Sequence, residues 1–115
     1  MTEKDMFQKT AKNQKIQEAI RHAAAEFLSE TSNRTSLITV TAVDLSPRRD
    51  RATVLITVLP ENQETAAIAF VSRQAGALRD FLRRRVSLQR LPFISFAIDR
   101  GEKNRQKLDQ LSRES

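Results

Sequence analysis

Residues 66–92 read AAIAFVSRQAGALRDFLRRRVSLQRLP, and the way this stretch folds decides how the rest of the chain is arranged. From Glu64 onward the composition is helical, yet Gly76 falls inside the helix, where glycine costs about 1 kcal/mol relative to alanine. Either the backbone bends there or something packs too closely for a Cβ. Beyond it, Leu78, Phe81 and Leu82 share a face with Val86 at its edge. Arg79 and Arg83 flank that face one turn apart, and Arg84 points outward. In an ideal helix Arg85 would project into the apolar stripe. Either the helix frays around Arg84–Val86, or Arg85 lays its stem over the core and lifts its head into water. Six arginines (Arg73, Arg79, Arg83, Arg84, Arg85 and Arg90) stand against one acid, Asp80, so most of the chain's net charge of +6 lies in this segment.

On the N-terminal side, residues 1–12 carry Lys4, Lys9 and Lys12 and read as a flexible basic arm. From about Gln14 to Ser29, Ile16, Ala19, Ile20, Ala23, Phe27 and Leu28 recur at helical spacing and form one stripe. His22 sits beside that stripe as the chain's single histidine, so it reads as a half-exposed helix residue and not as a metal ligand. Residues 30–36, ETSNRTS, have the composition of a loop. Leu37 to Leu45 is a strand in which Ile38, Val40 and Ala42 face one side and Thr39, Thr41 and Val43 the other. Ser46-Pro47 suits the first two positions of a turn. Arg51 to Leu59 is a second strand with Ala52, Val54, Ile56 and Val58 on one side, so the two make an antiparallel hairpin that Pro60 ends. The hairpin tip, Pro47 to Arg51, is basic: a solvated turn or an auxiliary phosphate contact.

On the C-terminal side, Leu91 to Asp99 is the last strand, with Ile94, Phe96 and Ile98 inward, Ser95 and Ala97 outward and Phe93 exposed. Arg100-Gly101 closes it, and the remainder, EKNRQKLDQLSRES, reads as a polar, mobile tail. The order is helix, strand, strand, interrupted helix, strand. Three strands are not stable bare, so the helices should cover one sheet face while Thr39, Thr41, Thr53 and Thr57 look to solvent. The fold class is α+β, with a domain over residues 13–100 between the arm (1–12) and the tail (101–115).

Composition narrows the function. A chain of 115 residues is one domain, able to bury roughly 65% of its unfolded surface. It has no cysteine, which removes disulfides, thiolate chemistry and the usual zinc clusters. No apolar run approaches the roughly 20 residues that span a bilayer. The start, MTEKDMF, carries acids and lacks an apolar signal core, so a cytoplasmic location is expected. A nucleophile with its base, a metal cluster or a paired carboxylate site has no candidate residues at suitable spacing, and the two glycines cannot form a phosphate loop. Neither catalysis nor a cofactor is expected. A basic surplus of this kind points first to nucleic acid, then to a membrane surface, and otherwise to simple solubility. The arginine-rich helix lacks the broad free apolar face a membrane would need.

With ITVTAVDLSP followed by ATVLITVL, GALRDFL in the interrupted helix and LPFISFAID at the end, the chain resembles the bacterial ribosome-binding factor A family over about residues 14–99. That resemblance implies a type II KH-like fold and a small-subunit assembly factor. KH domains hold RNA backbone with a GxxG loop between two helices; this family replaces the loop with an AxG interruption. Gly76 matches the glycine, whereas Gln74 stands at the alanine position and is followed by Ala75. The family's basic residues beside the leucine matching Leu88 are here Ser87 and Gln89, with arginines one turn earlier at Arg83–Arg85. The family's acidic hairpin tip is partly basic here.

The resemblance implies a non-catalytic factor that binds the immature small (30S) ribosomal subunit and its 16S rRNA and assists rRNA maturation, as a monomer and without a membrane. The alternative is a KH-like protein-interaction module that uses Phe93 or the C-terminal leucines and whose basic face only solubilises it. The expected RNA contacts are Arg73, Gln74, Gly76, Arg79, Arg83, Arg84 and Arg90, with Arg48 and Arg49 at the hairpin tip. With no Tyr or Trp and the phenylalanines mostly in core register, backbone contact with folded rRNA is favoured over base stacking on a platform.

Overall fold

The structure, a computed structural model, describes residues 3–31 and 36–114. Its elements in chain order are α1 (Glu3–Thr31), β1 (Leu37–Leu45), β2 (Arg51–Leu59), a 3-10 turn (Glu61–Gln63), α2 (Glu64–Arg73), α3 (Ala75–Arg85), β3 (Phe93–Ile98) and α4 (Arg100–Glu114). The sheet order is β1-β2-β3, with β1 antiparallel and β3 parallel to the central β2. This is the α+β arrangement that the sequence pattern implies.

Helices α1, α2 and α3 bury one sheet face. Ile20, Ala24 and Leu28 of α1, Val71 of α2 and Leu78 and Leu82 of α3 meet Ala52, Val54, Ile56 and Val58 of β2. Each large aliphatic side chain removed from water there contributes about 1.5–3 kcal/mol. Phe27 of α1 and Phe81 of α3 pack with ring centroids 5.6 Å apart in a tilted pair, joining the two helices. On the other face Thr39 is exposed, and the hydroxyls of Thr53 and Ser95 lie 3.3 Å apart.

Three features differ from the sequence pattern. In β1 the register slips between Val40 and Ala42, so Thr41 bulges and the inward phase changes. Val43 and Leu45 are therefore buried, where strict alternation puts Val43 outward. The freed Thr41 hydroxyl donates to an Asp99 carboxylate oxygen at 2.5 Å instead of facing water.

The second difference is in α1, which begins at Glu3 rather than near Gln14: no glycine or proline interrupts the chain before Pro47. At its other end α1 takes in Glu30 and Thr31 of the expected loop; residues 32–35 of that loop lie outside the described residues.

The third is the tail, which forms helix α4. Asp99 caps it, since its carboxylate accepts the Glu102 amide at 3.0 Å and its carbonyl the Lys103 amide at 3.0 Å. Lys103 then reaches Glu61 at 2.6 Å and Glu64 at 3.1 Å, tying α4 to the start of α2.

Candidate nucleic-acid interface

The interruption falls at Gln74, between α2 and α3, with φ −91° and ψ 0°. The Gln74 amide closes a tight turn onto the Val71 carbonyl at 2.9 Å, and the first bond of α3 runs from the Leu78 amide to the Gln74 carbonyl at 2.8 Å. The amides of a helix's first turn have no partner within it, and Gln74 contributes no side-chain cap. These N–H groups and the positive end of the α3 dipole suit an anion.

Gly76 lies in that first turn, and neither of the sequence-level explanations for it holds. Its φ is not positive, and a Cβ built on it would meet no described heavy atom within 4 Å. The bend belongs to Gln74, and Gly76 presents bare backbone to solvent.

The expected contact residues separate into two groups. Arg73, in the last turn of α2, and Arg79 and Arg84, on α3, are exposed. Arg79 is partly committed, its guanidinium donating to the Leu91 carbonyl at 3.3 Å. Arg83 pairs with Asp80 at 3.4 Å, and with Arg84 it also sits where cations complement the negative end of a helix. Arg85 is structural. Helix α3 ends there with Val86 extended, and its guanidinium lies 4.9 Å from the Phe81 ring centroid and 2.9 Å from Glu26 of α1. The stem thus covers the core edge and the head finds a carboxylate, which resolves the alternatives for this residue.

Arg48, Arg49 and Arg90 come together elsewhere. They line a groove of about 340 Å³ between α1, the hairpin turn and the α3–β3 loop, at the end of α3 away from Gln74. Lys12 joins them, and Ile16, Leu45, Leu88 and Pro92 supply apolar surface. Sequence reading leaves Lys12 in a loose arm; only the extension of α1 brings it to the groove. Arg49 has φ 61°, in the left-handed region, and its Nε donates to Asn13 of α1 at 2.6 Å. The turn itself follows the Ser46-Pro47 signal, with the Arg49 amide bonded to the Ser46 carbonyl at 2.9 Å. The Ser46 hydroxyl donates to Asp50 and holds that carboxyl below its usual range. Among the described residues, Arg48, Arg73, Arg84 and Arg90 have no ion pair or side-chain hydrogen bond that would occupy their guanidinium groups.

Among the described residues no three His, Asp or Glu side chains cluster to hold a metal ion, and no helix is long and apolar enough to cross a membrane. A family model described as ribosome-binding factor A matches residues 12–112. The chain belongs to this family. A ribosome-binding factor A from Rhodopseudomonas palustris (strain BisB5) is 34% identical over 104 residues, covering 86% of this chain and 76% of that one. One from Methylorubrum extorquens (strain PA1) is 32% identical over 109 residues, covering 90% and 75%. The crystal structure of ribosome-binding factor A from Thermus thermophilus has a TM-score of 0.65 at 30% identity, over 71% of this chain and 90% of that one. A homology model of the Thermus thermophilus ribosome-binding factor A, as fitted into the cryo-EM map of its complex with 30S, has a TM-score of 0.62 at 31% identity, over 71% and 89%. The matched span of the ribosome-binding factor A model includes the broken helix, the hairpin turn and most of α4.

Proposed function

We propose that this protein is a non-catalytic assembly factor that binds the immature 30S subunit through its 16S rRNA and assists rRNA maturation, acting as a monomer in the cytoplasm. The observation that carries the reading is the set of uncommitted guanidinium groups, Arg73 beside an uncapped helix start, Arg84 at the other end of α3 and Arg48 and Arg90 at the groove, in a family whose Thermus member has been fitted into a 30S complex. Guanidinium forks bind phosphate bidentately, and first-turn amides add neutral donors at the same place. Arg73, Gln74, Gly76 and Arg79 form the contact at the helix break, with Arg84 farther along α3 and Arg48, Arg49 and Arg90 at the groove. Arg83 contributes charge from within its pair with Asp80. No nucleophile–base pair takes part: the protein acts by occupying and stabilising an RNA conformation.

The test is co-sedimentation with purified free small subunits. Retention at low salt and loss at high salt are expected; absence from the subunits at low salt and low temperature would sink the proposal. A second reading, docking of a protein partner, has Phe93 in its favour, which is 70% exposed on β3. Binding that survives high salt and an Arg73/Arg79/Arg84 triple glutamate change would favour that second reading.

A further inference from the structure

The groove at the far end of α3 differs in kind from the helix break. Four cations (Lys12, Arg48, Arg49 and Arg90) line it with no acid among the lining residues, around an apolar floor of Ile16, Leu45, Leu88 and Pro92. Simple solubility explains exposed arginines on a convex surface but gives no reason to gather cations around a hollow, where they repel one another. Arg49 is also held there in a backbone conformation that non-glycine residues rarely adopt, with its side chain tethered to Asn13.

We infer that this groove takes a single unstacked nucleotide of an RNA strand, its phosphate on Arg48, Arg90 and Lys12 and its base against Ile16, Leu45 and Leu88. The inference rests on the RNA-binding reading above and adds a second, chemically distinct foothold to it. A volume of about 340 Å³ is at the small end of ligand pockets, which suits one nucleotide and not a helical segment. Nucleotides splayed from loops and bulges present a π-face to side chains and guanidinium planes. The chain has no Tyr or Trp to offer a stacking platform, so aliphatic floor and arginine planes take that part. The α3 helix has 11 residues and rises about 16 Å, so the groove and the break engage different nucleotides. A KH-type backbone clamp at the break reads no base; the groove adds the preference for an unpaired nucleotide.

The experiment is an NMR titration of the full chain with methyl labelling, using a single-stranded RNA tetranucleotide and an abasic ribose-phosphate chain of equal length. The RNA should shift the methyl signals of Ile16, Leu45 and Leu88. The abasic chain should shift only arginine side-chain signals. Leu88→Ser should weaken the tetranucleotide about five- to tenfold while leaving the abasic chain unaffected, the low end of what a base contact contributes. Arg90→Gln should weaken both. Leu88 lies in the half-exposed loop after α3, so its replacement leaves the core intact. Silent methyl groups overturn the inference, as do equal shifts with the abasic chain or equal shifts with an acidic tetrapeptide. Co-sedimentation separates the two claims. If the unaltered chain binds subunits while its methyl signals stay silent, the groove assignment falls alone. If the methyl signals respond but no subunit is bound, the nucleotide site stands and the subunit proposal falls.

Discussion

The helix break and the hairpin turn make opposite choices. At the break, glycine occupies position 76, where φ is not positive and nothing crowds the missing Cβ, so alanine would serve the fold as well or better. At the turn, arginine occupies position 49 with φ 61°, where glycine would serve the fold better. Each departure from local preference lies on the basic surface, beside amides at the break and lining the groove at the turn. The proposed function gives both departures one reading, in which residue and local physics disagree because the residue serves a ligand. At the break a bare backbone admits close approach; at the turn a fixed guanidinium supplies charge.

The largest effect should come from removing the charge that both regions share. If the RNA engages about five phosphates, log K falls with log salt at a slope of roughly −3.5 to −4.5. Arg73/Arg84/Arg90→Gln removes uncommitted guanidinium groups from both sites without breaking an ion pair, and every phosphate left without its arginine makes the slope shallower by about 1. Subunit binding measured across a salt series should therefore weaken most at low salt, with little change in melting temperature. An unchanged slope would mean that Arg73, Arg84 and Arg90 touch no phosphate.

Asp99 is the counter-case, where residue and local physics agree. It caps α4 and accepts from Thr41, and the Thr41 hydroxyl, followed by the Glu102 amide, holds its carboxyl below the usual range. Asp99→Ala should cost about 0.5–2 kcal/mol as a lost cap, read as faster amide exchange in α4, with subunit binding through the break retained. Because the folded pKa is depressed, this stabilisation is fully present above the ordinary carboxylate value near 4 and fades as pH falls through the lowered folded value. Lys103 works in the other direction. Held above its usual value by Glu61 and then Glu64, it stabilises below about 10.4 and loses that contribution as pH rises through its raised value. A drop in exchange protection confined to α4 below pH 4 checks the first arm.

Much of this architecture is legible in the sequence, for physical reasons that also explain what is not. Ser46-Pro47 forms the turn it signals, β2 alternates as written, and the interrupted helix breaks within two residues of Gly76. The bulge at Thr41 is hidden because LITVTAVDL is β-prone and largely apolar in either phase; only pairing with β2 decides that Val43 and Leu45 turn inward. Helix α4 has a legible signal in Asp99 followed three residues later by Glu102, an acid cap at helix-start spacing. The polar composition after it masks that signal. The groove has no linear signature, since its walls come from residues 12–16, 45–49 and 87–92 and meet only once α1 extends past the hairpin turn.

The two dissenting residues give the smallest and most discriminating effects. Arg49→Gly removes a left-handed cost of about 1–2 kcal/mol and loses the bond to Asn13, for a net gain in stability of up to about 1 kcal/mol. Gly76→Ala should gain somewhat less, since the first turn of a helix is less demanding than its middle. Both changes should weaken subunit binding while raising the melting temperature: the first by removing a cation, the second by placing a methyl group where backbone meets phosphate. The combination matters because an ordinary defect lowers stability and binding together. If Arg49→Gly lowers the melting temperature, the Asn13 bond explains the arginine and the turn needs no ligand to account for it. If Gly76→Ala raises stability and leaves binding unchanged, the glycine serves no ligand, and the break presents its amides at a distance that a Cβ does not disturb.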